Sequence, residues 1–324
     1  VLGLAVYSQH GAAQEAAKEE DTVLLEETVA ARDYSVLLPV ANEASARQLA
    51  RLGAMFAQVN QGELFALHVI RVPPQMGVSD GRAFLRQGRP ILEEVVGIGR
   101  NLDIPVRTML RLGRDVAKSI LEVAREREAS LMLLGWPGYT QSKGQAFGTI
   151  IDLMSKNPPC DLAVVRSRKT SLPLNILVPI AGGPNARLAL ELAITQADTI
   201  EQRTGERPAV VALNLIPENG DETVREQRRK TLLKELDIEG WPLELRIIAA
   251  RDIVPSILTE AASFGQIIIG ASEEGVLEQS LFGSIPQRVV EEALTTVIMV
   301  KRYDPVKFGV RRWLMASRRS KKLH

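Results

Sequence analysis

Short runs of apolar, β-branched residues alternate with longer segments of helical period, and the whole series restarts about 140 residues later. Ser35-Val-Leu-Leu-Pro39-Val-Ala41 returns as Asn175-Ile-Leu-Val-Pro179-Ile-Ala181. Arg114-Asp115-Val-Ala-Lys-Ser119 likewise returns as Arg251-Asp252-Ile-Val-Pro-Ser256. So long a period excludes a solenoid unit and points to a duplicated domain. The runs are continuous rather than alternating, as strands buried on both faces must be, so each copy predicts a parallel sheet covered by helices.

In the first copy the expected strands are 36–40, 64–70, 106–112, 131–134 and 162–165; in the second they are 176–180, 210–216, 243–249, 267–269 and 297–300. The fold class is therefore α/β, two tandem five-stranded parallel-sheet domains paired as a pseudo-dimer. The first spans residues 35–169 and the second 174–301. Residues 1–34, rich in Glu and Ala, read as a linker, partly helical, and 302–324 as a separate basic tail. Asp115 and Asp252 each precede a helical run and are expected to cap it.

A chain of 324 residues has room for two cores, and 45% apolar with 24% charged residues is an ordinary globular composition. One cysteine, Cys160, excludes an internal disulfide, and three scattered histidines give no metal-ligand spacing. His68, inside the apolar run 64–70, is expected to pack in a strand. No Gly-x-Ser-x-Gly elbow and no Gly-Lys-Ser/Thr phosphate loop occurs, so the reading is a binding module and not an enzyme.

The chemistry-bearing motif is Gly135-Trp136-Pro137-Gly138, nine residues, then Gly148-Thr149, between an apolar run and a helical segment. Glycine lets backbone approach a phosphate that a Cβ would hold off, and a helix N-terminus offers free N–H groups to an anion. Lys143 within the loop either neutralises a phosphate or is a solvated lysine; Trp136 either stacks on a base or shields the sheet end. In the second copy Gly270, Gly283 and Ser284 keep the outline, but Glu273 stands where a loop glycine belongs. A carboxylate about 4 Å from a phosphate charge costs of order 4 kcal/mol at an effective dielectric near 20. The second site is thus expected to be degenerate, its glycines serving tight turns.

This spacing, after a fourth strand and before the hydrophobic strand Asp161-Leu-Ala-Val-Val165, resembles the universal stress protein family in tandem form. The resemblance covers Ser35 to Lys301. It implies a nucleotide-binding fold, a sensor rather than an enzyme, pairing through its last strand, with ATP or another adenine nucleotide as ligand and Mg2+ as its companion. Carried onto this sequence, it assigns the first site to Gly135, Gly138, Gly148 and Thr149. ATP-binding members also place an Asp just after the first strand; here that position is Ala41, or Ala181 in the second copy, with Asn42 as a partial substitute. Losing one charge-assisted bond weakens binding by roughly 1.5–3 kcal/mol.

From Lys301 onward there are nine Lys or Arg residues and one acid, Asp304. Val306, Val310, Trp313 and Leu314 lie at helical spacing among Lys307, Arg311, Arg312, Arg318 and Arg319, the pattern of a segment that lies on anionic lipid. Nucleic acid is not expected as a partner, because the rest of the chain is acidic. The apolar start Val1 to Tyr7 reads as the end of a transmembrane helix, with an N-terminal strand or a processed end as alternatives. Ala66 to Gln75 and Phe282 to Pro286 also resemble the tandem stress-protein domains that follow the transmembrane part of bacterial transporters, amino-acid permeases above all. That resemblance implies a regulatory domain at the cytoplasmic face of the plasma membrane, homodimeric, with the transporter's own membrane part as partner; a free-standing tandem stress protein is the alternative.

Overall fold

The computed structural model describes residues 22–27, 32–73, 75, 85–136, 148–156, 158–168, 173–272 and 282–305. Its strands are β1 (Thr22–Glu27), β2 (Ser35–Pro39), β3 (Glu63–Arg71), β4 (Val106–Gly113), β5 (Leu131–Gly135), β6 (Asp161–Arg166), β7 (Asn175–Pro179), β8 (Ala209–Pro217), β9 (Glu244–Ala250), β10 (Gln266–Gly270) and β11 (Thr296–Lys301). All eleven form one sheet in the order β1-β4-β3-β2-β5-β6-β11-β10-β7-β8-β9. Within β2–β6 and within β7–β11 every pairing is parallel. The two halves join where β6 and β11 run antiparallel, Ile298 opposite Val165. Both expected five-stranded sheets are present, fused through their last strands.

Thr22–Glu27 corrects the expectation of a linker with helical character. It is an edge strand, antiparallel to β4, with Val23 opposite Arg111 and Glu27 opposite Thr108. An antiparallel strand covers the N–H and C=O row that β4 would otherwise leave open at the sheet edge.

The helices are α1 (Glu43–Val59), α2 (Leu85–Asn101), α3 (Val116–Glu126), α4 (Thr149–Lys156), α5 (Gly183–Thr204), α6 (Glu222–Leu236), α7 (Ile253–Ala261) and α8 (Ser284–Glu292). Successive strand residues feed opposite faces: Val36 and Leu38 join one buried cluster with α1, α2, α5 and α6, while Leu37 joins the other with α3, α4, α7 and α8. Each cluster runs through both halves, so the cores are shared across the β6–β11 seam. Small residues let α1 sit close: a Cβ at Gly53 would meet Leu38, Leu64 and Leu133 at 3.1–3.3 Å. On the same face the Thr199 hydroxyl of α5 donates to the Met55 carbonyl of α1 at 3.2 Å.

Local signals account for the helix starts unevenly. Asp115 caps α3 as expected, accepting from the Lys118 N–H at 3.1 Å. Asp252 occupies the same place before α7 but makes no side-chain cap bond, so the expectation fails there. In both copies the serine four residues on, Ser119 or Ser256, donates its hydroxyl back to the Asp115 or Asp252 carbonyl, at 2.9 and 2.7 Å.

Candidate functional site

In each half the strand order reverses direction beside the first strand, between β2 and β5 and between β7 and β10. Open α/β sheets bind ligands in the crevice beyond the strand C-termini at such a switch point. Here the strands diverge to make that crevice. The β2–β5 pairing is confined to Val36 with Leu131 and Leu37 with Met132, and β7–β10 to two pairs likewise. Pro39 and Pro179 end β2 and β7 and carry no N–H with which to continue the ladder.

In the first half the crevice is flanked by Ala41 and Asn42 on one side and Gly135 on the other. Gly135 ends a buried run and is itself exposed. It lacks the left-handed backbone that would demand glycine, and among the described residues an added Cβ would meet only Leu49 Cδ1, at 3.7 Å. Its conformation therefore does not require glycine at 135, and neither does packing against the described residues. Trp136 turns inward: it is 4% exposed, its backbone N–H donates to the Val165 carbonyl at 2.9 Å, and the Arg166 guanidinium lies 5.2 Å from its ring centroid. Of the two roles open to Trp136, shielding the sheet end is the one it performs. Gly138 and Lys143 lie outside the described residues. At the far end of the loop Gly148 has φ 92°, a left-handed conformation, and its carbonyl accepts from the Asp152 N–H at 3.0 Å to start α4, with Thr149 as first residue.

Asn42 is a helix cap. Its Oδ1 accepts from the Ser45 N–H at 2.9 Å, and its own N–H donates to Ser45 Oγ at 3.3 Å. The acceptor that would replace the missing Asp is thereby committed to α1. His68 is a packed strand histidine: Nδ1 donates to the Val40 carbonyl at 2.8 Å, which fixes its tautomer. Asn214 does the same for the Ile180 carbonyl in the second half, also at 2.8 Å.

The second crevice is filled from within. Arg228 of α6 donates through Nη2 to the Ala181 carbonyl at 2.7 Å and through Nε to Asn214 Oδ1 at 3.2 Å. Glu235 accepts from the Gly183 N–H at 2.8 Å, placing a carboxylate on the first turn of α5. The remaining loop ends are stitched shut. Asn185 donates to the Ala271 carbonyl at 2.9 Å and accepts from the Arg302 N–H at 2.8 Å, while the Ser272 N–H donates to the Phe282 carbonyl at 2.8 Å. Glycine at 270 has a packing reason, since a Cβ would lie 2.6–2.9 Å from backbone atoms of Asn185 and Ala186. Gly283, at φ 90°, has a conformational one, and Ser284 simply opens α8. Glu273, like the tail residues Lys307, Arg311, Arg312, Trp313, Arg318 and Arg319, lies outside the described residues.

Arg228 and Glu235 are the functional side chains that sequence reasoning missed. They sit in a helix whose composition reads as solvated, and only packing turns them over the strand ends. Among the described residues no group of three or more His, Cys, Asp or Glu is placed to hold a metal, and no helix is long and apolar enough to cross a membrane.

Fold and crevice together define a duplicated, doubly wound α/β protein whose second switch point is filled by its own side chains. Residues 35–166 match the universal stress protein family, and that part of the chain is a universal stress protein domain. Over 308 residues the chain is 22% identical to universal stress protein Rv2005c of Mycobacterium tuberculosis, covering 84% of this chain and 98% of that one. It is 28% identical over 137 residues to the Na(+)/H(+) antiporter NhaS5 of Synechocystis, a match to 42% of this chain and only 20% of the antiporter. A universal stress protein from Archaeoglobus fulgidus has the same fold, with TM-score 0.58, 18% identity, and coverage of 83% of this chain and 98% of that one. So does the cytoplasmic domain of a prokaryotic cation chloride cotransporter, with TM-score 0.51, 12% identity, and coverage of 84% and 96%.

Proposed function

We propose that the chain is the regulatory, nucleotide-sensing module of a membrane transporter of the amino-acid permease type, held at the cytoplasmic face of the plasma membrane. Its first half binds an adenine nucleotide, ATP foremost, and its second half is a structural partner. One observation supports the nucleotide assignment: Gly135 borders the first switch point and no described residue requires it to be glycine, whereas its counterpart Gly270 is required by packing. Close approach of a ligand is a physical reason for a missing side chain there. The phosphates take the N–H groups of the loop and of Gly148 and Thr149, with Gly138 and Lys143 completing the cradle and Asn42 offering its carboxamide N–H. Mg2+ arrives on the polyphosphate, because no described cluster supplies protein ligands for it. The role is binding without turnover.

The similarities to an antiporter and to a cotransporter's cytoplasmic domain support the transporter assignment. They also favour a second reading of the cargo, an inorganic ion in place of an amino acid. A homodimer, anionic lipid contact through the tail, and no nucleic-acid partner complete the proposal. A nucleotide that binds one transporter state better than another shifts their equilibrium by that difference in affinity.

Calorimetric titration with ATP, ADP, AMP and cyclic dinucleotides, on the wild type and on Gly138→Glu, tests the reading. The expectation is one site per chain, abolished by the substitution. No heat with any nucleotide, or two equivalent sites, refutes it; ATP hydrolysis that depends on the loop refutes the non-enzymatic role.

A further inference from the structure

The last strands of the two halves end in basic residues, Arg166 on β6 and Lys301 on β11, and each reaches across the seam to the other half's last helix. Arg166 Nη1 donates to the Val290 carbonyl and, at 2.9 Å, to the Glu291 carbonyl at the end of α8. Lys301 Nζ donates to the Ser155 carbonyl at the end of α4, at 2.7 Å. Arg166 and Lys301, and equally Ser155 and Val290, are related by the offset that relates the two glycine loops, so the exchange is reciprocal. Cations at helix C-termini bind otherwise unmet carbonyls and oppose the negative end of the helix dipole.

The reciprocity is broken at one place. The Arg166 guanidinium also lies over the Trp136 ring, 5.2 Å from its centroid, whereas Ala271 occupies the position of Trp136 in the second half. A planar guanidinium stacks on an aromatic face and bonds two carbonyls at once; an ammonium has no such plane. Trp136 follows Gly135 directly and begins the loop, and α4 begins where the loop ends.

We infer that Arg166 and Lys301 are positioning residues for the first half's nucleotide loop, holding its two ends, Trp136 and α4, against the second half. The inference rests on the nucleotide reading of that loop. Through these contacts the first half's crevice is coupled to the seam. A ligand that draws in the backbone of 135–136 acts on α8 through Arg166, and movement of the second half reaches the crevice by the same path.

Hydrogen–deuterium exchange and nucleotide titration on wild type, Arg166→Met, Lys301→Met and Lys301→Arg, with the exposed ion-pair variant Arg47→Met as control, test this. Arg166→Met is expected to speed exchange about tenfold or more at 131–136 and in α8, and Lys301→Met to do so in α4. Each weakens the nucleotide about tenfold, and Lys301→Arg restores α4. Arg47→Met, which removes an exposed ion pair to Glu94 of α2, leaves exchange at 131–136, in α4 and in α8 unchanged. Wild-type exchange rates at 131–136 and 149–156 in both Met variants overturn the inference, whether or not nucleotide binds. Faster exchange there in a protein that binds no nucleotide upholds the mechanical tie and refutes the nucleotide reading. Should Arg166→Met fail to fold, Lys301→Met alone decides.

Discussion

Alanine at Gly135 and at Gly270 should have opposite consequences. At Gly270 the new Cβ would lie 2.6 Å from the Asn185 carbonyl carbon, 2.7 Å from its oxygen and 2.9 Å from the Ala186 nitrogen. Those atoms belong to the first turn of α5, which must move by several tenths of an ångström, and overpacking of this kind costs about 1–3 kcal/mol. At Gly135 the nearest atom among the described residues is a leucine methyl at 3.7 Å, an ordinary contact, and the backbone is not left-handed. There alanine restricts mainly the unfolded chain, so stability is unchanged or rises by roughly 0.4–1 kcal/mol. Urea unfolding followed by circular dichroism therefore separates the two variants by at least about 1 kcal/mol. Adenine nucleotide titration reverses the ranking. Gly135→Ala loses about tenfold in affinity, roughly 1.4 kcal/mol, because a methyl group now stands between backbone and ligand. Gly270→Ala binds as the wild type does wherever it is folded. If Gly135→Ala destabilises as much as Gly270→Ala, or binds nucleotide undiminished, glycine at 135 serves the fold and the site argument fails.

Other consequences follow from individual groups. Glu63 and Arg107 form a buried ion pair at 2.6 Å beside Phe65, so Arg107→Met strands a buried charge and should cost about 3–5 kcal/mol, while Glu63→Gln with Arg107→Met recovers much of it in the same unfolding assay. Burial first, then the Asp161 carboxylate, pushes the Cys160 thiol up to about 12 from 9.0, which leaves roughly a thousandfold less thiolate. Iodoacetamide should thus label Cys160 only after unfolding, and rapid labelling of the native protein contradicts its burial. Asp161 is raised above its ordinary 3.8, chiefly by burial, against the opposing Tyr303 N–H and Arg302. The folded state then holds that proton more tightly, so the group's contribution is greatest below 3.8 and falls as pH rises through the raised value. Asp161→Asn should remove that slope from the pH dependence of the urea midpoint, and an unchanged slope assigns it elsewhere. Lastly, the chain should sediment with phosphatidylserine vesicles at low salt, each tail cation contributing about 1 kcal/mol, and Arg311→Glu with Arg312→Glu should abolish this.

Much of the fold was legible because its strands are buried on both faces: Val36–Leu38, Leu64–Leu67 and Ile267–Ile269 read as continuous apolar runs that only a covered parallel sheet explains. The restart at Asn175 gave the second sheet, and Asp115 announced its helix. Edge strand β1 was not legible, since a short segment flanked by acids acquires its pairing only from β4, some 80 residues away by rough count. Degeneracy of the second crevice was expected from Glu273, which lies outside the described residues. Glu273 drew attention as a local departure from a motif, while the described plug comes from Arg228 and Glu235 on a helix that presents no motif at all. The seam was hidden for a related reason: Arg166 and Lys301 look like ordinary strand-end charges until the antiparallel β6–β11 pairing carries each to the opposite half's helix.

The most direct measurement is a crystal structure grown with excess adenine nucleotide. The account predicts one molecule per chain in the crevice between β2 and β5, its phosphates on the N–H groups at Gly148 and Thr149 and its path crossing Gly135 without a side chain between. The second crevice keeps Arg228 and Glu235 in place. Nucleotide bound at the second crevice instead, or a first crevice closed over by the protein's own side chains, contradicts it.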